Sequence, residues 1–221
     1  MPDGQEKVVV VDDDEAVRRS LARLLRSAGL AVESFASAGE FLARDGYDGV
    51  GCIVLDVRMP DLDGMGLQAR LGDQACDLPI VFLTGHGDIP MSVRAMKKGA
   101  FDFLTKPVDE DVMLGAVRQG LAQHRADRVA RLELEALRLQ MDMLTPRERA
   151  VLRGVIAGAR NKQIGASLDI AEKTVKVHRG RAMQKLGVSS LAELIQICQR
   201  LGIEPSPDVK RSGSDENVPP A

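Results

Sequence analysis

VVVVDDDEAV, residues Val8–Val17, places two demands side by side. Four consecutive valines read as a strand buried on both faces, the pattern of an interior strand in a parallel sheet. The run then stops at four acids, Asp12, Asp13, Asp14 and Glu15. Like charges this close raise one another's pKa or recruit a cation, so the end of this strand must hold something that makes the cluster tolerable.

The same alternation of apolar runs and amphipathic stretches continues downstream. After KVVVV, a helix is predicted from about Glu15, with Asp14 as its cap, Val17, Leu21, Leu24 and Leu25 at helical spacing and Gly29 as its stop. AVESF, Ala31–Phe35, is a second and weaker strand, and SAGE, Ser37–Glu40, is a capping box that starts the next helix. GCIVLD, PIVFLT and FDFLT supply the third, fourth and fifth strands. Five βα units in about 120 residues predict an α/β fold, a doubly wound five-stranded parallel sheet with helices on both faces.

The chain has 221 residues, 44% of them hydrophobic, enough for two domains with their own cores. No apolar run approaches the roughly 20 residues of a spanning helix, and the amino terminus lacks a signal-peptide core, so no membrane partner is expected. Cys52, Cys76 and Cys198 are scattered without C-x-x-C spacing, which suits a reducing cytoplasm and argues against a disulfide framework or a zinc site. The net charge of -2 hides an asymmetry. Met1–His124 carries 13 basic against 20 acidic residues, whereas Asp142–Ile203 carries 11 against 5. The basic half invites a polyanion such as nucleic acid.

Between the halves, Leu121–Thr145 contains neither Gly nor Pro and predicts a stiff helical connector, roughly 35 Å long if fully helical. Val129, Leu132, Ala136, Leu139 and Met143 recur at 4, 3, 4, 3 spacing, as in the seam of a short coiled coil, and Leu134, Leu137, Met141 and Leu144 form a second stripe. Either packing on the neighbouring domains or pairing between two chains accounts for the seam. TPRE, Thr145–Glu148, is a strong helix start, and helices follow at about Lys162–Leu168, Glu172–Leu186 and Ser190–Arg200. Residues 204–221 have almost no apolar content and are expected to form a disordered tail.

In an open parallel sheet, ligands bind beyond the carboxyl ends of the strands where the strand order reverses. An order of 2-1-3-4-5 makes the first and third strands neighbours and brings Asp12, Asp13 and Asp14 towards Asp56. Such hard oxygen ligands suit Mg²⁺, which takes one or two carboxylates and keeps waters or phosphate oxygens. Thr84 and Lys106, at the ends of the fourth and fifth strands, add the hydroxyl and ammonium that a phosphoryl group needs.

The set DDD, VLDVRMPDLDG, LTGHGD and FLTKP closely resembles the receiver domain of two-component response regulators, a flavodoxin-like fold, over about residues 5–124. The resemblance implies that Asp56 is the phosphoacceptor, that Asp12 and Asp13 hold Mg²⁺ with Asp56 and the Arg58 carbonyl, and that Thr84 and Lys106 contact the phosphoryl group. Phe103 falls at the aromatic switch position, often Tyr in the family; Phe keeps the rotamer switch without the hydroxyl. Hydrolases of the haloacid dehalogenase type also use a strand-end Asp with Mg²⁺, but they carry a second Asp two residues on, where this chain has Arg58.

The carboxyl-terminal half has no aromatic residue for base stacking, and NKQIGASLDIAEKTVKVHRGRAMQKL reads as helix, turn and longer helix. LTPRERAVL, GARNKQIGASLDIAEKTVKVH and KLGV resemble the four-helix DNA-binding domain of LuxR, FixJ and NarL regulators over about residues 143–203. That resemblance implies that Lys176, Val177 and Gly180 face base edges. Gly180 reads nothing itself, so specificity there shifts to Arg179 or Arg181. Thr174, His178, Arg181, Lys185, Asn161 and Lys162 are the candidates for phosphate contacts. Val175 and Leu186 are expected in the core.

The expected organisation is therefore a receiver over 1–124, a helical linker over 125–142, an all-α helix-turn-helix domain over 143–203 and the tail. The resemblance implies a regulator rather than an enzyme: a sensor histidine kinase phosphorylates it, it dimerises through the region of about Asp88–Thr105, and the homodimer binds double-stranded promoter DNA and meets RNA polymerase. A receiver that dimerises without phosphate and a LuxR relative that senses a small molecule are the alternatives; the five strand-end residues speak against the first and the acidic trio against the second.

Overall fold

The computed structural model describes residues 6–44, 49–74, 76–85 and 89–206. Most of the expected tail, and His86–Asp88 of the LTGHGD motif and the dimer face, lie outside the described residues. The chain divides into two compact units, Met1–Val129 and Ala130–Ala221.

In the first unit, β1 (Lys7–Val11), β2 (Ala31–Phe35), β3 (Gly51–Asp56), β4 (Ile80–Thr84) and β5 (Asp102–Thr105) form one parallel sheet in the order β2-β1-β3-β4-β5. The four valines of β1 are each at most 1% exposed. Val8 and Val10 point into one layer with Leu21 and Leu25 of α1 (Glu15–Ser27) and with Met113, Val117 and Leu121 of α5 (Glu110–Asp142). Val9 and Val11 point into the other, with Phe41 of α2 (Ala38–Ala43) and Leu67 and Leu71 of α3 (Gly64–Asp73). At about 1.5 kcal/mol per buried valine, β1 contributes an upper bound of about 6 kcal/mol, and its two-sided burial forces it into the sheet interior. A further helix, α4 (Ile89–Lys97), precedes β5.

The helix starts follow their local chemistry. Asp14 caps α1 by accepting from Ala16 N at 2.8 Å and Val17 N at 3.2 Å. At α2 the Ser37 hydroxyl accepts from Glu40 N at 3.1 Å, while the Glu40 carboxylate reaches back to Ala36 N rather than to Ser37 N.

The second unit packs α6 (Pro146–Ile156), α7 (Asn161–Leu168), α8 (Glu172–Lys185) and α9 (Leu191–Arg200) around Val151, Leu152, Ile164, Val175, Leu186 and Leu194. Thr145 and Glu148 form the expected capping box. Helix α5 continues unbroken through the segment read as a linker. Its second stripe is partly absorbed, because Met141 and Leu144 are buried in the core of this unit. The first stays at the surface, with Val129, Leu132, Leu139 and Met143 all more than half exposed.

Candidate functional site

The strand order puts β1 beside β3 in a register that pairs Val11 with Leu55, so the residues that follow, Asp12 and Asp56, lie next to each other at the carboxyl end of the sheet. Both are buried, at 2% and 6% exposure. Between them sits Lys106, whose Nζ donates to Asp12 Oδ2 at 2.6 Å and to Asp56 Oδ1 at 2.8 Å. Its backbone continues the β4–β5 ladder, with Lys106 N donating to Thr84 O at 2.8 Å. The acid cluster is therefore tolerable in part because a cation from 94 residues away lies against it.

The remaining carboxylate oxygens are held by amides: Asp12 Oδ1 accepts from Asp14 N at 2.9 Å and Asp56 Oδ2 from Arg58 N at 2.6 Å. Burial pushes the Asp56 carboxyl above its ordinary value against the opposing pull of Lys106. For Lys106, burial disfavours the ammonium, but the hydrogen bonds and charges of Asp12 and Asp56 outweigh it and hold its pKa above the usual lysine value. Thr84 is buried at the end of β4. Phe103 pairs in register with Phe82, their ring centroids 6.0 Å apart, and is partly buried against the core.

Asp13, expected beside Asp12 as a magnesium ligand, lies in the turn between β1 and α1. Its side chain is exposed, and no cluster of three or more His, Cys, Asp or Glu side chains suited to a metal occurs among the described residues. The third acid, Asp14, is committed to capping α1. Asp12, Asp13 and Asp56 with the Arg58 carbonyl are a chemically suitable set of hard oxygen donors for Mg²⁺, an ion that takes one or two carboxylates beside waters.

Sequence reading missed Gly64. A Cβ there would meet Asp56 O at 2.3 Å and the Phe82 ring at 3.1 Å, so α3 starts against the backbone of the buried carboxylate. The DG of VRMPDLDG was the available signal.

The second unit presents an exposed arc on α8. Lys176, Val177, Gly180 and Arg181 are exposed together, while Val175 and Leu186 are buried as expected. Lys176 also pairs with Glu172 one turn earlier, at 3.2 Å. Thr174, His178 and Arg179 are partly buried at the margins, with His178 Nδ1 buried and unbonded among the described residues. On α7, Lys162 is exposed and Asn161 partly buried.

Lys185, a candidate for a phosphate contact, is partly buried, and its ammonium is engaged within the unit. It donates to Glu148 Oε2 at 2.8 Å and to Met143 O at 3.1 Å. Glu148 is 3% exposed, and its pKa is lowered to about 2, first by the Lys185 hydrogen bond and then by that of Thr145 N. A folded value below the unfolded one means that this pair stabilises the unit above the ordinary glutamate pKa and that the contribution is lost as pH falls towards the folded value. In calorimetry, the second unit should therefore lose stability as pH is lowered from about 5 towards 2, and Glu148→Gln should flatten that dependence while costing about 2 kcal/mol at pH 7. An unchanged acid limb in the variant would remove Glu148 as its source.

A family model described as the response regulator receiver domain matches residues 8–118, and one described as bacterial regulatory proteins, luxR family, matches residues 142–198. The chain is 43% identical over 201 residues to the response regulator protein TmoT of Ectopseudomonas mendocina, covering 91% of each. It is 41% identical over 199 residues to the transcriptional regulatory protein FixJ of Rhizobium meliloti, covering 90% of this chain and 98% of that one. The solved structure of the response regulator StyR matches with a TM-score of 0.81 at 49% identity, covering 89% of this chain and 99% of that chain.

Proposed function

The chain belongs to the response regulators that join a receiver domain to a luxR-type DNA-binding domain, and from that premise we propose that Asp56 is the residue through which phosphorylation controls this transcription factor. The observation that carries the proposal is the Lys106 ammonium lying between the buried Asp12 and Asp56 carboxylates at the carboxyl end of the sheet.

A carboxylate oxygen of Asp56 attacks the phosphorus of a phosphohistidine on a sensor histidine kinase, or of a small acyl phosphate. The new P–O bond forms as the bond to the donor nitrogen or oxygen breaks, and the electron pair leaves with the donor. Asp12, Asp13, Asp56 and the Arg58 carbonyl would hold a magnesium ion, which would supply neutralising charge for the phosphoryl oxygens. Lys106 then turns its ammonium to the phosphoryl group, and the Thr84 hydroxyl donates to it. The Phe103 ring, now only partly buried, follows Thr84 inward. Phosphorylation acts by favouring one of two packings that already exist, and a bias of a few kcal/mol is enough to switch the population.

The switched state dimerises. Ile89, Val93 and Met96 form an apolar stripe on α4, exposed at 81%, 44% and 45%, which suits the α4–β5 surface for that role. The exposed seam of α5 adds a second surface for a partner copy. Paired α8 helices then meet two half-sites of double-stranded promoter DNA, the second contact gaining from the first through effective concentration. Within this reading the protein acts in the cytoplasm and meets RNA polymerase at the promoter; no described helix is long and apolar enough to cross a membrane.

The test is labelling with acetyl phosphate across a Mg²⁺ titration, followed by light scattering and promoter-fragment binding with and without the phosphodonor. Label without any shift in mass or affinity would separate phosphorylation from output and defeat the proposal. On DNA, Lys176→Ala should weaken specific binding by about 1–3 kcal/mol while changing nonspecific binding much less. Equal losses on specific and random DNA would reduce Lys176 to a phosphate contact.

A further inference from the structure

We propose that the open cavity between the β3–α3 connection and α4 is a binding site for a small amphipathic carboxylate, an organic acid with an apolar alkyl or aryl body. The cavity has a volume of about 590 Å³, within the usual range for small-ligand sites. Its apolar wall is made chiefly of Met59, Met65 and Met91, flexible thioether side chains that can adapt to the shape of a ligand. Around that wall stand Arg58, Arg94 and Lys98.

The charges point to an anion. None of these three cations makes an ion pair among the described residues, whereas Lys7, Arg19, Lys106 and Arg125 of the same unit are each paired with a carboxylate. The one acid in the lining, Asp63, is engaged in capping α3, accepting from Gly66 N at 2.7 Å. Three unpaired cations beside an apolar wall complement a carboxylate head joined to an apolar body. Either half alone would be matched by only part of the lining.

The site is also distinct from the surface proposed for dimerisation. Met91, Arg94 and Lys98 are spaced three and four residues apart along α4 and its last turn, so they share one side of it. Ile89, Val93 and Met96 recur at four and three residues, starting two positions before Met91, which at 100° per residue places them on roughly the opposite side. Binding can therefore be measured on the unphosphorylated full-length chain without magnesium, and its outcome does not depend on Asp56.

The probe is octanoate in isothermal titration calorimetry, with octanol and inorganic phosphate as the two half-ligands. Octanoate should bind saturably at one site per chain, and at least about tenfold more tightly than either half-ligand, one decade being a modest difference in contacts. Arg94→Gln with Lys98→Gln, both at exposed positions, should keep the circular dichroism spectrum and the acetyl phosphate labelling while weakening octanoate about tenfold or more. Three results would each overturn the proposal: no saturable octanoate binding at millimolar concentration, phosphate or octanol binding as tightly as octanoate, or full octanoate affinity in the folded double variant.

Discussion

Asp56→Asn is expected to reduce labelling by acetyl phosphate to background and, with it, to remove the phosphodonor-driven rise in promoter affinity. The substitution is nearly isosteric, so the result isolates chemistry from packing. The carboxylate presents one oxygen to Lys106 Nζ at 2.8 Å and the other to Arg58 N at 2.6 Å. An amide offers one acceptor and one donor. It can satisfy only one of those two donors, and its nitrogen is no nucleophile towards phosphorus. Stability should change by only about 1 kcal/mol either way. The lost pairing with Lys106 is offset because a neutral amide avoids the burial cost that already raises the carboxyl pKa. Intact-mass spectrometry after incubation with the phosphodonor checks the first expectation and thermal melting the second. A variant that still took up label at the parental rate would remove Asp56 from the mechanism.

Gly165→Ala is expected to destabilise the DNA-binding unit by about 3 kcal/mol and to abolish promoter binding at physiological temperature. The glycine is not needed for an unusual dihedral angle; it is needed for space. A Cβ at this position would lie 2.7 Å from the Ile170 carbonyl oxygen, which is backbone and cannot swing aside. The same turn is closed by Ile170 N donating to Gly165 O at 3.0 Å, and Asp169 takes a left-handed conformation at the end of α7, with φ of 53°. Moving Ile170 would therefore shift the entry to α8 and the direction in which Lys176 and Arg181 point. Gly180→Ala is the matched control. Nothing lies within 4 Å of its Cβ position, and it sits in the interior of α8, so the change should stabilise the helix by up to about 1 kcal/mol. Comparable losses of stability from both substitutions would contradict the steric explanation for Gly165.

The two glycines of greatest consequence, Gly64 and Gly165, mark the limit of what could be read along the chain. Both are required because a backbone carbonyl approaches them, that of Asp56 eight residues before Gly64 and that of Ile170 five residues after Gly165, and helix or strand periodicity does not encode that approach. Lys185 teaches the same lesson in reverse. Its position in a DNA-binding motif and its charge mark it as a candidate phosphate contact, while the carboxylate it pairs with, Glu148, lies 37 residues earlier and meets it only once α6 and α8 have packed.

By itself the sequence determined the five strands of a parallel sheet, the helix caps at Asp14, Ser37 and Thr145, and the helix-turn-helix unit, because each is written in periodicity or in contacts within four residues, while the strand order came with the resemblance of its motifs to a receiver domain. Tertiary structure alone decided that Lys106 bridges Asp12 and Asp56 and that Lys185 pairs with Glu148. The physical reason is range. Local backbone preference and burial pattern act between neighbours, whereas charge pairing and close approach in the sites are set by strand register and helix packing between residues up to 94 positions apart.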